Sequence, residues 1–84
     1  MTDILLLEDD ESVNRGIEFT LQKAGYHIVS VFTISQAKQI LKQEAEIPMM
    51  ICDVNLSDGN GTDLISYIRK TDSDMHIICL TALD

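Results

Sequence analysis

The chain has 84 residues, of which 45% are hydrophobic and 24% are charged, and its formal net charge is −8. This balance is ordinary for one small globular domain and unlike that of a disordered segment. The acidic excess argues against nucleic-acid binding by this segment, because phosphate binding needs clustered Lys and Arg. No basic leader precedes an apolar run, and no stretch approaches the roughly 20 apolar residues that span a bilayer, so we expect a cytoplasmic chain without membrane association.

The first part of the chain alternates between strand-like and helix-like patterns. Residues 4–7 (ILLL) form an apolar run that is too short for a helix and typical of a strand buried on both faces. The next apolar residues recur at helical spacing: Val13, Ile17, Leu21 and Ala24. Gly25 follows as a typical helix stop. Residues 26–31 are rich in β-branched side chains and predict a second strand.

The second part repeats this alternation. Thr33 and Gln36 match a capping box that opens a second helix. Residues 49–52 predict a third strand, 54–61 a loop, and 76–80 a fourth strand. Apolar residues at helical spacing mark the second and third helices: Ala37, Ile40, Leu41, Leu64, Ile65 and Ile68. Alternating helices and wholly apolar strands predict an α/β fold with a doubly wound parallel sheet.

Acidic residues follow two of the predicted strands. Glu8, Asp9 and Asp10 come after the first strand, and Asp53 comes after the third. Each has an ordinary alternative role, since Asp10 or Ser12 can cap the first helix and Asp53 can brace the next turn. In a parallel sheet, however, these strand ends share one edge, where ligands bind. Two carboxylates about 5 Å apart repel by about 3 kcal/mol at an effective dielectric of about 20, so a cation such as Mg²⁺ is expected between them.

Small and hydroxyl residues at the same edge suit a phosphate ligand. Thr81 ends the fourth strand, where its hydroxyl can donate to a phosphoryl oxygen, although a β-branched residue is also ordinary in a strand. Ala82 leaves room for a bound group, and Gly59 and Gly61 let the loop after Asp53 turn sharply. Together these residues predict a metal-assisted phosphate site.

Three segments give the chain a family resemblance: ILLLEDD at the first strand, MMICDVNL at the third and HIICLTA at the fourth. In their order and spacing they resemble the receiver domain of two-component response regulators, along all 84 residues. The resemblance implies a flavodoxin-like sheet with strand order 2-1-3-4. It also implies that Asp53 is the phosphoacceptor, which takes its phosphoryl group from a sensor histidine kinase. A carboxylate is a competent nucleophile for such a transfer.

The resemblance also implies roles for the other residues of this edge. Asp9 would bind Mg²⁺ directly, Glu8 would act through a water molecule, and the backbone carbonyl of Asn55 would be a further ligand, beside Asp53 itself. Thr81 would be the switch hydroxyl that turns toward the phosphoryl group, with Ala82 beside it.

The chain departs from the family pattern in two places. Ser57 stands where the family usually has proline, and the sequence stops at Asp84. Family members continue through a helix, a fifth strand that carries a lysine and an aromatic switch residue, and a last helix. Residues 1–84 are therefore expected to form a partial receiver domain with an apolar fourth strand at its edge, which favours a homodimer or a domain swap. Without the lysine, phosphoryl transfer is expected to be slow or absent; the alternative is a receiver-like fragment that binds metal or partner proteins without transfer.

Two further alternatives concern the loop after the third strand. A haloacid-dehalogenase-type phosphatase also uses an aspartate at a strand end, but it needs a second aspartate where this chain has Asn55. An EF-hand calcium loop needs Gly and Glu where this chain has Asp58 and Leu64.

The histidines and cysteines lie in strand-like contexts. His27 and His76 are lone histidines in strand-like segments and are interpreted as structural. Cys52 and Cys79 lie in apolar runs and are expected to be free thiols that pack as small hydrophobic side chains.

Overall fold

A computed structural model describes residues 1–44, 46–56, 58–71 and 74–80 of the chain. Its strands are, in chain order, β1 (Ile4–Leu7), β2 (Ile28–Val31), β3 (Met49–Asp53), β4 (Asn55–Leu56), β5 (Gly59–Asn60) and β6 (His76–Leu80). Its helices are α1 (Glu11–Lys23), α2 (Ile34–Gln43) and α3 (Gly61–Thr71).

Four strands form one parallel sheet in the order β2-β1-β3-β6. Among the described residues β4 and β5 form a separate two-stranded sheet, so this is the predicted order 2-1-3-4 of the four main strands, and it confirms the doubly wound α/β fold. The second strand begins at Ile28 and not at residue 26. The preceding carbonyl, that of His27, instead accepts hydrogen bonds from the N–H groups of Asp3 and Ile4, at 2.8 and 3.2 Å.

The helices cover the two faces of the sheet unequally. On one face α2 and α3 pack against alternate residues of the strands, and the buried members are Leu5, Leu7, Val31, Ala37, Ile47, Met50, Cys52, Leu64, Ile68 and Met75. On the other face α1 contributes Ile17 and Leu21, which pack on Ile4, Leu6 and Ile51. All four side chains of β1 are buried, as the run ILLL predicts for a central parallel strand, and each stabilises the fold by about 1.5–3 kcal/mol.

The strand β6 is less well covered. Within the part of the chain that the structure describes, it pairs with β3 on one side only. Ile78 is 46% exposed, and Cys79 is also exposed. Cys52 and Cys79 are register partners on β3 and β6, and both are free thiols, as predicted, but only Cys52 is buried. The expectation that Cys79 packs as an apolar side chain is therefore wrong, because no described residue covers the edge strand at that position.

The ends of the first two helices follow the sequence closely. Asp10 caps α1, and its carboxylate accepts a hydrogen bond from the N–H of Val13 at 3.1 Å. Thr33 caps α2 through the N–H of Gln36, also at 3.1 Å. In a complete capping box the Gln36 side chain would also accept from the N–H of Thr33. Here it accepts instead from the N–H of the preceding residue, Phe32, at 2.8 Å.

The segment after β3 is more ordered than the predicted loop at 54–61. The strands β4 and β5 form a short antiparallel hairpin, and α3 begins directly after it at Gly61. Gly59 has a φ of +151°, which an L side chain rarely adopts. In the described ranges no helix has the length and apolar character that crossing a membrane requires.

Candidate functional site

The structure brings three of the singled-out acids together at the carboxyl edge of the sheet. Glu8 follows β1 by one residue, Asp9 comes next, and Asp53 is the last residue of β3. Each offers one carboxylate oxygen, and these three atoms all lie within 4.8 Å of one another. Glu8 is buried, Asp53 is half-buried and Asp9 is exposed, so the group is open to solvent on the Asp9 side.

Buried hydrogen bonds hold the β1 side of this group. The backbone N–H of Glu8 donates to the carbonyl of Val31 at 3.2 Å. The Oε1 atom of the Glu8 side chain accepts from the N–H of Asp10 at 3.0 Å. Asn14, which is completely buried in α1, donates through Nδ2 to the carbonyls of Glu8 at 3.0 Å and Val31 at 3.1 Å. One side chain therefore ties α1 to the ends of β1 and β2.

Sequence reasoning missed Asn14, although a signal was present. It lies three residues before Ile17 on the inward side of the predicted helix, where an apolar residue is normal. A polar side chain at such a position needs hydrogen-bond partners. Strand-end carbonyls provide them for Nδ2, whereas the buried Oδ1 accepts no hydrogen bond from the described residues.

The electrostatics of the group centre on Glu8. Burial raises the pKa of its carboxyl group, and the charge of Asp53, a shared hydrogen bond with Asp53 and the charge of Asp9 raise it further, against the opposing effect of the Asp10 N–H. Two carboxylates at such a separation repel by about 3 kcal/mol at an effective dielectric of about 20. The cluster is therefore unfavourable when fully ionised, and a cation placed among its oxygens relieves that repulsion.

The donor set suits a hard divalent cation. All three groups are carboxylates, and Mg²⁺ takes one or two of these while keeping other positions for water and phosphate oxygens. Asn55, whose backbone carbonyl is the fourth predicted ligand, begins β4 two residues after Asp53 and pairs with Asn60. Its role as a ligand stays a prediction.

Backbone contacts fix the position of Asp53. Its neighbour Val54 donates to the carbonyl of Leu80 at 3.3 Å and accepts from the N–H of Gly61 at 2.8 Å. A side chain at Gly61 would overlap the Asp53 carbonyl, and its Cβ would lie 3.0 Å from Cys52 Sγ. The start of α3 can approach β3 this closely only because residue 61 has no Cβ.

The predicted phosphoryl-binding pair, Thr81 and Ala82, lies outside the described residues, as does Ser57. Leu80, the last residue of β6, is the register partner of Asp53. The placement of Thr81 and Ala82 at this edge stays a prediction.

Asp58 was singled out only as a misfit to a calcium loop, and the structure gives it a different contact. Its carboxylate oxygens accept hydrogen bonds from the N–H groups of Ile34 at 2.9 Å and Ser35 at 3.2 Å, at the start of α2. The Ile34 hydrogen bond is the main cause that lowers the pKa of this carboxyl group. The segment before the loop is the strand β3, whereas an EF-hand needs a helix there.

Comparison with known proteins identifies the family. A family model described as the response regulator receiver domain matches residues 4–84, and the chain therefore belongs to that family. It is similar to the transcriptional regulatory protein GltR of Pseudomonas aeruginosa, with 37% identity over 81 residues that cover 94% of this chain and 33% of GltR. The chain is thus a receiver domain of the two-component response regulators, and it spans about a third of that relative.

Solved structures show the same fold. The non-phosphorylated receiver domain of HemR from Leptospira biflexa superposes with a TM-score of 0.89 at 34% identity, covering 98% of this chain and 65% of that one. The MaeR response regulator bound to beryllium trifluoride superposes with a TM-score of 0.84 at 36% identity, covering 100% of this chain and 70% of that one.

Proposed function

We propose that this receiver domain accepts a phosphoryl group on Asp53 from the phosphohistidine of a sensor histidine kinase, with Mg²⁺ bound beside the acceptor. The observation that carries the proposal is the convergence of three carboxylate oxygens, from Glu8, Asp9 and Asp53, within 4.8 Å at the ligand-binding edge of a doubly wound sheet. A phosphoacceptor site needs both a nucleophilic carboxylate and a cation site, and this cluster offers the donors for both.

Asp53 is the nucleophile of the proposed transfer. One of its carboxylate oxygens forms a bond to phosphorus while the bond from phosphorus to the imidazole nitrogen breaks, and the imidazole keeps that electron pair. The chain is the acceptor in this step, and the kinase is the enzyme. Because β3 is paired on both sides, by β1 and β6, its last residue is held in place, and such positioning is a large part of phosphoryl transfer.

Asp9, Asp53 and the backbone carbonyl of Asn55 would hold the metal directly, and Glu8 would hold it through water. When bound, Mg²⁺ supplies positive charge beside the transferred phosphoryl oxygens. The exposed side of Asp9 leaves the cluster open toward solvent, from which the phosphodonor arrives. Burial is the main cause of the raised pKa of Glu8, and the charges of Asp53 and Asp9 raise it further; that added repulsion is what a cation would relieve, which supports this assignment.

Two finer parts of the proposal concern β6 and the residues after it. Thr81 would donate its hydroxyl hydrogen to the bound phosphoryl group, with Ala82 leaving space, and the pairing of Leu80 with Asp53 supports this. The strand β6 would pair with a second copy of the chain, and its position at the edge of the sheet, where it pairs with β3 alone among the described residues, supports that contact. Sedimentation equilibrium would show a dimer; a folded monomer at high concentration would contradict it.

The test of the proposal is phosphorylation by a small phosphodonor. Because the lysine of the family pattern is not among residues 1–84, transfer is expected to be slow. We therefore expect intact mass to show one phosphoryl adduct after prolonged incubation with acetyl phosphate and Mg²⁺, and none on the matched variant Asp53→Asn. Asp9→Asn should lose the adduct and also the stabilisation by metal, which is about 1.4 kcal/mol at about 10 mM Mg²⁺ for a dissociation constant of about 1 mM. A folded wild-type chain without an adduct would instead favour the fragment that binds partners without transfer.

A further inference from the structure

The hairpin of β4 and β5 joins two regions of the molecule. Its first residue, Asn55, is two residues from Asp53, and its last residue, Asn60, precedes α3. The Asn60 side chain accepts hydrogen bonds from the N–H and the hydroxyl of Thr62, at 2.9 and 2.8 Å. These contacts fix the hairpin to the start of α3, on the side where the proposed metal site lies.

A second set of contacts fixes the turn of the hairpin to α2. Asp58 accepts hydrogen bonds from the N–H groups of Ile34 and Ser35. Next to it, Gly59 lies so close to Ile34 that a Cβ built on the glycine would be 3.0 Å from the Ile34 Cδ1 atom. Leu56, on the opposite strand of the hairpin, packs against the core beneath α2 and α3.

The start of α2 is a favourable place for the Asp58 carboxylate to accept hydrogen bonds. The first N–H groups of a helix have no partner within the helix. Thr33, the local cap, satisfies only that of Gln36, and Asp58 satisfies two more from 24 and 23 residues away. A carboxylate there also faces the positive end of the helix dipole. Lys38, in the second turn of α2, adds a favourable charge.

We propose that Asp58 is a positioning residue that clamps the hairpin to α2 and thereby holds the Asn55 carbonyl in place for Mg²⁺, so that the metal site and the N-terminus of α2 are energetically coupled. This inference rests on the proposed function. Because coupling between two sites is reciprocal, metal binding at Asp53 must tighten the Asp58 clamp to the extent that the clamp favours metal binding.

The chain offers a matched control for this coupling. Asp58→Ala removes two hydrogen bonds to the start of α2 from the hairpin, whereas Thr33→Ala removes one hydrogen bond to the same helix end without touching the hairpin. Both residues make exposed contacts, so both variants should fold, and circular dichroism checks this. Asp58→Asn, which keeps one carbonyl acceptor, provides an intermediate case.

Isothermal titration with Mg²⁺ is the first measurement. We expect Asp58→Ala to weaken Mg²⁺ binding about 5-fold or more, Asp58→Asn to weaken it less, and Thr33→Ala to stay within about 2-fold of wild type. Equal affinity of wild type and Asp58→Ala would overturn the clamp alone, as would an equal loss in Thr33→Ala. Absence of Mg²⁺ binding by the wild type would overturn the clamp together with the proposed metal site.

Hydrogen exchange provides a second measurement. If Asp58 only stabilised the fold, Mg²⁺ would not change the exchange rates of the amides that it accepts from. In the wild type, saturating Mg²⁺ should slow exchange of the Ile34 and Ser35 amide hydrogens, because the metal holds the hairpin that accepts from them. The slowing should be lost in Asp58→Ala. Unchanged exchange of these two amides on metal binding by the wild type would overturn the coupling.

Discussion

The two strand ends that form the acidic cluster are held by different kinds of contact. At the end of β1, the buried Asn14 side chain and the N–H of Glu8 bind strand-end carbonyls away from water. At the end of β3, the hairpin that follows Asp53 is held through Asp58 by exposed hydrogen bonds. Buried networks rigidify, whereas exposed contacts contribute less and yield more easily. The end of β1 is therefore held firmly, whereas on the β3 side the hairpin after Asp53, and not Asp53 itself, is the part that can respond to a ligand.

The strongest test of this contrast removes the buried contact. Asn14→Ala should lower the free energy of unfolding by about 2–3 kcal/mol, because the Glu8 carbonyl loses its Asn14 donor, the Val31 carbonyl keeps only the Glu8 N–H, and a cavity is left. Urea denaturation measures the change. Arg15→Ala, on the same helix, removes only an exposed ion pair with Glu11 and should cost less than about 0.5 kcal/mol. Similar losses in the two variants would show that Asn14 is not the fixing contact.

The next test concerns how closely α3 approaches Asp53. Gly61→Ala should cost about 2 kcal/mol, since the new Cβ overlaps the Asp53 carbonyl and forces β3 and α3 apart. Gly16→Ala is the matched control, because a Cβ at Gly16 meets nothing within 4 Å and the residue is inside α1. There the same substitution should stabilise the fold by about 0.5–1 kcal/mol. Thermal melts that move in the same direction for both variants would contradict this account.

The smallest expected effect on stability concerns the negative charge of Glu8, directly after β1. The pKa of Glu8 is raised in the folded state, so its contribution to stability is present below the ordinary pKa of Glu and is lost as pH rises through the higher folded-state pKa. Glu8→Gln removes one repelling charge and should raise the free energy of unfolding by about 1 kcal/mol at pH 7 without metal.

Unfolding by urea across pH 4 to 8, with and without Mg²⁺, tests this effect. The wild type should lose stability relative to Glu8→Gln as pH rises, and saturating Mg²⁺ should narrow the difference at pH 7. An identical pH dependence in the two proteins would mean that Glu8 does not carry the repulsion.

The fold was predictable because its signals are local or simply periodic. The runs at 4–7 and 76–80 match β1 and β6 in full, and the helical spacing places α1, α2 and α3. The hairpin of β4 and β5 was missed because strands of two residues are too short to show a period. Residues 26 and 27 were assigned to a strand on propensity alone, but they are exposed and precede the pairing with β1.

Only the part of the site that lies directly at the strand ends could be predicted from the sequence. The convergence of Glu8, Asp9 and Asp53 follows from parallel strands sharing an edge, and the structure has it. The clamp by Asp58 could not be foreseen, because its partners are 23 and 24 residues away and an exposed aspartate in a turn is usually satisfied by its own backbone.

The two cysteines give the chain a built-in attachment point for a spectroscopic label. Burial raises the pKa of the Cys52 thiol to about 12, and the charges of Cys79, Asp53 and Glu8 act in the same direction. Since the thiolate is the reactive form, a maleimide dye should attach to the exposed Cys79 and leave Cys52 unmodified. That dye would be one residue from Leu80, the register partner of Asp53, and its emission would follow events at the acceptor without any mutation.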